Sequence, residues 1–183
     1  NDVVLFERKQ LTCGTTWHAA GLVGQLRASK NMTRLAQYST ELFANLAAET
    51  GQETGYQPTG SMTLALNAER LEELKRQATM ANAFDVACEL VGPDFVQERW
   101  PGIDTSDVHG GVYLPGDGQT NPVDTTLALA KGARNAGAQI FENTPVQRLA
   151  IENGQVVGVY LKNDTLVNAR QVVITGGMWS REF

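Results

Sequence analysis

Thiols are scarce in this sequence: Cys13 and Cys88 are the two cysteines among 183 residues. They are too few for a disulfide framework, and no histidine pair stands at metal-ligand spacing beside them, so no metal site is expected. The plain expectation is two free thiols in a reducing compartment. Positive charge is short as well. Fifteen Lys and Arg face twenty Asp and Glu, a formal net charge of -5. Nucleic-acid binding usually needs a basic face, so no nucleic-acid partner is expected. No run of like charges reads as a tail. No apolar stretch reaches membrane-spanning length, and no charged-then-apolar leader opens the chain.

What is present is ordinary globular composition, 42% apolar and 19% charged. Glycine is abundant, 18 residues, which predicts many tight turns or close backbone approaches. The chain opens on Asn1-Asp2 and runs at once into Val3–Phe6, an apolar run that suits a buried parallel strand. It stops a few residues after another strand-like run. Domains seldom start and stop against core strands. The expectation is an internal piece lacking a first βα unit and a C-terminal part.

The pattern along the chain mixes strands and helices, which predicts an α/β class. Residues 31–50 place Leu35, Tyr38, Leu42 and Leu46 at helical spacing, and Gly51 stands at the expected stop. Asn67 is the expected N-cap of a helix over 68–83, with Leu71, Leu74, Ala78 and Ala81 inward. Gly92-Pro93 opens a short helix to Arg99, and Asn121-Pro122 opens another that runs to about Ala136. Ser61–Leu66, Val86–Val91 and Val108–Leu114 read as strands. Five short strand-like runs follow Gly137: 138–142, 145–151, 155–161, 165–169 and 171–175. Asn153-Gly154 is a hairpin signal between two of them.

The candidate chemistry begins at Glu7. An acid at the end of the second strand of a dinucleotide-binding unit hydrogen-bonds ribose hydroxyls; a lone strand-final Glu is otherwise a solvated strand end. Residues Gly14 to Gly21 are richer: Gly-Thr-Thr-Trp-His-Ala-Ala-Gly. Gly14 and Gly21 permit close backbone approach to a ligand. Thr15 and Thr16 supply hydroxyls and N–H groups at an expected helix start, where a pyrophosphate is favoured. Trp17 offers a flat apolar face, and the His18 imidazole is a nucleophile as well as a base. From the residues alone a second reading stands beside this one, with Trp17 packed in a core and His18 capping a carbonyl. Arg27 is either a fork donor to a substrate carboxylate or a surface ion-pair partner. His109 reads as structural or surface, and Asp117, in Gly116-Asp-Gly118, as a turn residue.

The run Thr12-Cys-Gly-Thr-Thr-Trp-His-Ala-Ala-Gly-Leu22, with Gln25-Leu-Arg27 after it, resembles the sarcosine and dimethylglycine dehydrogenase family. The likeness continues through Arg70–Lys75, Pro115–Gly118, Asn121-Pro122 and Lys131–Arg134, and covers essentially the whole chain. It implies an FAD cofactor, with hydride passing from an N-methyl amine such as sarcosine or dimethylglycine to the flavin. It implies a covalent link between His18 and the flavin. Glu7 and Arg8 fall where the family meets the adenosine ribose, and Gly14, Thr15, Thr16, Trp17, Ala19, Ala20 and Gly21 along the cofactor segment. Val146, in Thr144-Pro-Val146, falls where the family meets the adenine, and Gly176 and Gly177 where a late strand returns to the cofactor. No catalytic acid or base is assigned, because the family's active-site His and Tyr belong downstream of Trp179.

The fold implied is part of a glutathione-reductase-like FAD domain, residues 1–57 and 120–183. Residues 58–119 form a mixed or antiparallel substrate-side insertion between them. The implied acceptor is an electron-transfer protein or oxygen. Tetrahydrofolate enters only where a further C-terminal domain exists. The implied location is the cytoplasm in a bacterium or the mitochondrial matrix in a eukaryote. Two other readings remain: an amine or amino-acid oxidase of the same fold, and a non-catalytic piece without a stable cofactor site.

Overall fold

The computed structural model describes residues 2–182. Two compact units divide the chain. One comprises Asn1–Trp17 and Leu129–Phe183, the other His18–Ala128. The stretch 58–119, expected as an insertion, falls inside the second unit, which also takes in the long helix before it.

In the first unit, β1 (Val4–Phe6) pairs in parallel with β7 (Gln139–Phe141), with Phe6 opposite Phe141. Their rings stack with centroids 5.8 Å apart. The ladder extends at both ends, because Gln139 N–H donates to the Val3 carbonyl and Glu7 N–H to the Phe141 carbonyl. The expected parallel strand is therefore present. Burial is not, since Val3, Val4 and Leu5 are exposed; a two-stranded ladder covers neither of its faces.

Three further strands of this unit, β8 (Val146–Glu152), β9 (Gln155–Leu161) and β10 (Leu166–Asn168), form an antiparallel sheet in the order β10-β9-β8. The β8–β9 turn is Asn153-Gly154, both at positive φ (50° and 77°). That is the backbone a two-residue hairpin needs, and it explains the choice of Asn and Gly. Opposite each other on this hairpin, Arg148 lies over the Tyr160 ring at 3.5 Å. The fifth expected strand, 171–175, does not form. These residues pair with no strand among those described, and Val173 is 82% exposed. An apolar β-branched run marks strand propensity, but a strand also needs a partner to satisfy its backbone.

The second unit is built on β3 (Ser61–Ala65), β4 (Glu89–Val91) and β5 (Gly110–Leu114), antiparallel with β5 central. All five residues of β5 are buried. Helix α2 (Ala68–Ala83) covers this sheet. Leu74, Ala78 and Ala81 join Ala65, Val86, Val112 and Leu114 in one core, with Leu71 packed against its edge. The helix starts where expected, because Asn67 Oδ1 accepts from Arg70 N–H at 2.8 Å. The expected strands around Val86 and Val108 are shorter than their apolar runs. Both of these valines are buried but lie in loops.

Helix α1 (Lys30–Thr50) ends at Gly51, whose φ of 65° is left-handed and whose N–H donates to the Ala47 carbonyl at 2.8 Å. Of its four spaced apolar residues, Leu46 is buried, while Leu35 and Tyr38 are exposed. Helical periodicity is correct here, but part of the stripe has no cover within this unit. A short helix, α3 (Pro93–Arg99), and a two-residue ladder of β2 (Leu22–Val23) with β6 (Gly118–Gln119) complete the unit. Helix α4 (Pro122–Asn135) opens on Asn121, whose side-chain oxygen accepts from Val123 and Asp124 N–H at 3.0 and 3.3 Å.

Candidate functional site

In the first unit, the polypeptide after β1 turns under local control. Glu7 accepts the Lys9 N–H at 2.8 Å on one carboxylate oxygen, so the strand-final acid shapes the bend that follows it. Its carbonyl accepts from Thr144 N–H at 2.8 Å, and the Lys9 carbonyl from Asn143 N–H at 2.6 Å. Glu142 in turn accepts Leu11 N–H at 2.6 Å. The expected ribose acid and the Thr144-Pro-Val146 segment are thus neighbours, although 137 residues of sequence separate Glu7 from Thr144. Beside them, Asn143, Pro145 and Lys162 help line an open groove of about 380 Å³. Arg8 lies over the Trp179 ring at 4.7 Å. That contact brings the Gly176–Trp179 stretch to the same segment. Gly177 has φ of 56° and nothing within 4 Å of a Cβ placed on it.

Residues 11–15 form turns and Thr16–His18 a single 3₁₀ turn. The expected α-helix start at Thr15-Thr16 is not there: the next α-helix begins at Lys30. Three residues of 3₁₀ carry almost none of the aligned dipole of a full helix. Any anion here would meet individual N–H and hydroxyl groups. Gly14 faces open space, with no atom within 4 Å of a Cβ built on it. Trp17 is 60% exposed, so it is not a core residue.

In the second unit, His18, Ala19 and Ala20 are exposed and lead into β2. Gly21 has φ of 75°, and a Cβ there would overlap the Thr120 carbonyl oxygen; the Thr120 N–H donates to the Gly21 carbonyl at 2.8 Å. Glycine at 21 is therefore required by the chain's own packing. Leu22, next to it, is 80% exposed. In the first unit Gly14 faces open space and Trp17 is exposed; His18, the first residue of the second unit, is exposed as well.

Further along, Leu22, Val23, Arg27, Met32, Leu35 and Phe43 line an apolar groove of about 240 Å³. Arg27 is its cation. The Arg27 N–H donates to Thr33 Oγ1 at 3.1 Å, and that hydroxyl donates to the Arg27 carbonyl at 3.2 Å. The guanidinium donates to the Leu26 carbonyl at 2.9 Å. Thr33 is fully buried, which holds the Arg27 backbone to the start of α1.

Asp117, expected as a turn residue in Gly116-Asp-Gly118, is also buried. It is 6% exposed. Its carboxylate accepts from Gln25 N–H at 2.8 Å and from the Ser61 hydroxyl at 2.6 Å. Burial, and then the Asp117 charge, push the Tyr56 phenol above its ordinary value. The Gly-Asp-Gly pattern signals a turn; nothing in the local pattern signals these distant partners. His109 is exposed, and its N–H donates to the Ala65 carbonyl at 2.8 Å. Among the described residues no group of three His, Cys, Asp or Glu is placed to hold a metal ion.

The family described as FAD dependent oxidoreductase matches residues 1–183. This chain belongs to that family. Among its relatives, 4-methylaminobutanoate oxidase (formaldehyde-forming) of Paenarthrobacter nicotinovorans is 37% identical over 182 residues, covering 100% of this chain and 22% of that protein. Mitochondrial dimethylglycine dehydrogenase of Homo sapiens is 36% identical over 181 residues, covering 99% of this chain and 21% of that protein. The crystal structure of L-proline dehydrogenase from P. horikoshii superposes with a TM-score of 0.92 at 26% identity, covering 99% of this chain and 48% of that one. The chain thus spans about a fifth of these curated relatives and about half of that solved structure. The α/β fold of an FAD-dependent oxidoreductase and the resemblance to N-methyl amine dehydrogenases are both borne out. No helix of the described residues is long and apolar enough to cross a membrane.

Proposed function

We propose that this chain supplies the cofactor-holding part of an FAD-dependent enzyme that oxidatively demethylates an N-methylglycine-type amine. The observation that carries the reading is the segment Gly14–Gly21. Its glycine at 14 faces open space, Trp17 is 60% exposed, and His18 follows it directly. The names of the matched relatives, both acting on methylated amines, point the same way.

Bound FAD supplies the two-electron acceptor that no side chain can. The protein's residues hold and orient. Glu7 and Arg8 serve the ribose end, and Val146 the adenine through its backbone. Thr15, Thr16, Ala19 and Ala20 offer N–H groups and small side chains, and Gly176 and Gly177 permit close approach. Arg27, at the apolar groove, takes the substrate carboxylate by charge-assisted hydrogen bonds. His18 would hold the flavin through a ring nitrogen joined covalently to it in place of a hydrogen, which would prevent cofactor loss. Electrons leave to an electron-transfer protein or to oxygen, in the cytoplasm of a bacterium or the mitochondrial matrix of a eukaryote. Tetrahydrofolate takes part only with a further domain.

Acid precipitation of the purified flavoprotein tests the covalent bond. Flavin should stay with the pellet, and His18→Ala should release it to the supernatant. Release from the unsubstituted protein would refute the bond while leaving FAD binding in place. Turnover is tested with sarcosine, dimethylglycine and 4-methylaminobutanoate. A protein that reduces its flavin with none of them, but does so with unmethylated amino acids, would be an amino-acid oxidase instead.

A further inference from the structure

We propose that Asp117 is a positioning residue: it holds the segment Gly24–Arg27 in place and so sets Arg27 in the lining of the apolar groove. The inference deepens the function proposed above and rests on Arg27 receiving a carboxylate.

The polypeptide from Gly24 to Arg27 has no ladder of its own, since β2 ends at Val23 and α1 begins at Lys30. It is held at its two ends by different devices. At the Arg27 end, the buried Thr33 hydroxyl takes both the N–H and the carbonyl of that residue. At the Gln25 end, the turn 115–118 does the work. Gln25 N–H donates to Asp117 Oδ1 at 2.8 Å, and Gln25 Nε2 donates to the Gly116 carbonyl at 2.6 Å. Asp117 is itself fixed, because its Oδ2 accepts from Ser61 at 2.6 Å and its carbonyl accepts from Gly60 N–H at 2.8 Å. One carboxylate therefore ties three separated stretches of chain together.

The burial makes this informative. A buried carboxylate is costly unless its oxygens are satisfied, and a turn residue has no need to be buried. Both oxygens of Asp117 are engaged, one on the Gln25 segment and one on β3. Gly24 completes the arrangement. A methyl built on it would sit 3.4 Å from Arg27 Nη1 and 3.4 Å from Asp117 Oδ2. Carboxylate and guanidinium therefore border the same residue, and glycine leaves them the room.

A positioning role predicts a split between binding and chemistry. In the full flavin-loaded protein, Asp117→Ala should raise KM for sarcosine roughly 10- to 100-fold, the cost of losing a buried charge-assisted hydrogen bond. kcat should stay within about twofold, the tolerance for uncoupled sites, and the flavin spectrum should be unchanged. Asp117→Asn keeps the acceptor for Gln25 N–H, and Ser61 can reverse its hydroxyl to accept from the new amide. Its KM should stay within about twofold of the parent. In an Arg27→Ala background Asp117→Ala should add nothing further. An equal rise in both backgrounds, or a fall in kcat with KM unmoved, overturns the proposal. Should Asp117→Ala fail to fold, Ser61→Ala decides: a raised KM supports the role and an unmoved one refutes it. Should no amine be turned over, the function above fails, and acetate binding read from the flavin spectrum replaces KM in the same comparisons. A spectrum that acetate leaves unmoved in the parent protein then overturns this inference as well.

Discussion

The Arg8 guanidinium lies 4.7 Å from the centroid of the Trp179 ring, joining two stretches that stand at opposite ends of the sequence. Arg8 lies just after β1, where backbone bonds from Asn143 and Thr144 also converge, and Trp179 lies in the 3₁₀ turn Gly177–Glu182. An Arg stacked on an indole is worth ~0.5–1 kcal/mol at an exposed site. A double-mutant cycle of Arg8→Ala and Trp179→Leu, read by urea unfolding, should return a coupling energy of about that size. Additive single effects would show that the contact contributes nothing.

Gly14 and Gly21 separate ligand effects from folding effects. Alanine at 14 meets no atom of the chain within 4 Å. Gly14→Ala should leave the thermal midpoint nearly unchanged yet weaken flavin retention, measured as FAD per protein after gel filtration. Alanine at 21 faces both a φ of 75° and the Thr120 carbonyl. Gly21→Ala should lower stability by ~1–3 kcal/mol, whether or not flavin is added, because the strain lies in the polypeptide itself. Equal losses of flavin and of stability in both variants would count against a cofactor role for Gly14.

How far these features were legible depends on how local their causes are. The Asn67 cap, the Gly51 stop and the Asn153-Gly154 turn each act within four residues, and each stands where the pattern placed it. Pairings across the chain were less visible. Val3–Phe6 read correctly as a parallel strand, but its partner at Gln139–Phe141 lies more than 130 residues away. Residues 171–175 carry the same apolar signature and find no partner among the described residues. Gly116-Asp-Gly118 announces a turn because glycine and aspartate suit one. The partners of Asp117, Gln25 and Ser61, lie 92 and 56 residues away. The candidate cofactor segment was legible as a motif, while its single 3₁₀ turn at Thr16–His18 was not.

The two thiols should differ in reactivity. Burial, and then the Glu89 charge, raise the Cys88 thiol above its ordinary value, whereas Cys13 is exposed. The thiolate is the reacting form, so raising the pKa lowers its population at any pH below that value. With a disulfide reagent near neutral pH, Cys13 should react first and Cys88 slowly, the second phase quickening as pH rises. Cys88→Ser should remove the slow phase alone. A single fast phase of two thiols in the folded protein would contradict this.

Tyr56 provides the alkaline test of the Asp117 environment. Its phenol is raised above the ordinary 10.0, by burial first and by the Asp117 charge second. A folded pKa above the unfolded one means that the folded state binds the proton more tightly. The associated stabilisation is whole below pH 10.0 and is lost as pH climbs through the higher folded value. Tyr56→Phe should therefore flatten that part of the decline in stability above the ordinary tyrosine range. Asp117→Asn removes the smaller, electrostatic cause and leaves burial. It should move Tyr56 ionisation back only part of the way, read as the phenolate absorbance that Tyr56→Phe abolishes. If Asp117→Asn leaves that absorbance curve in place, the carboxylate charge does not reach the phenol.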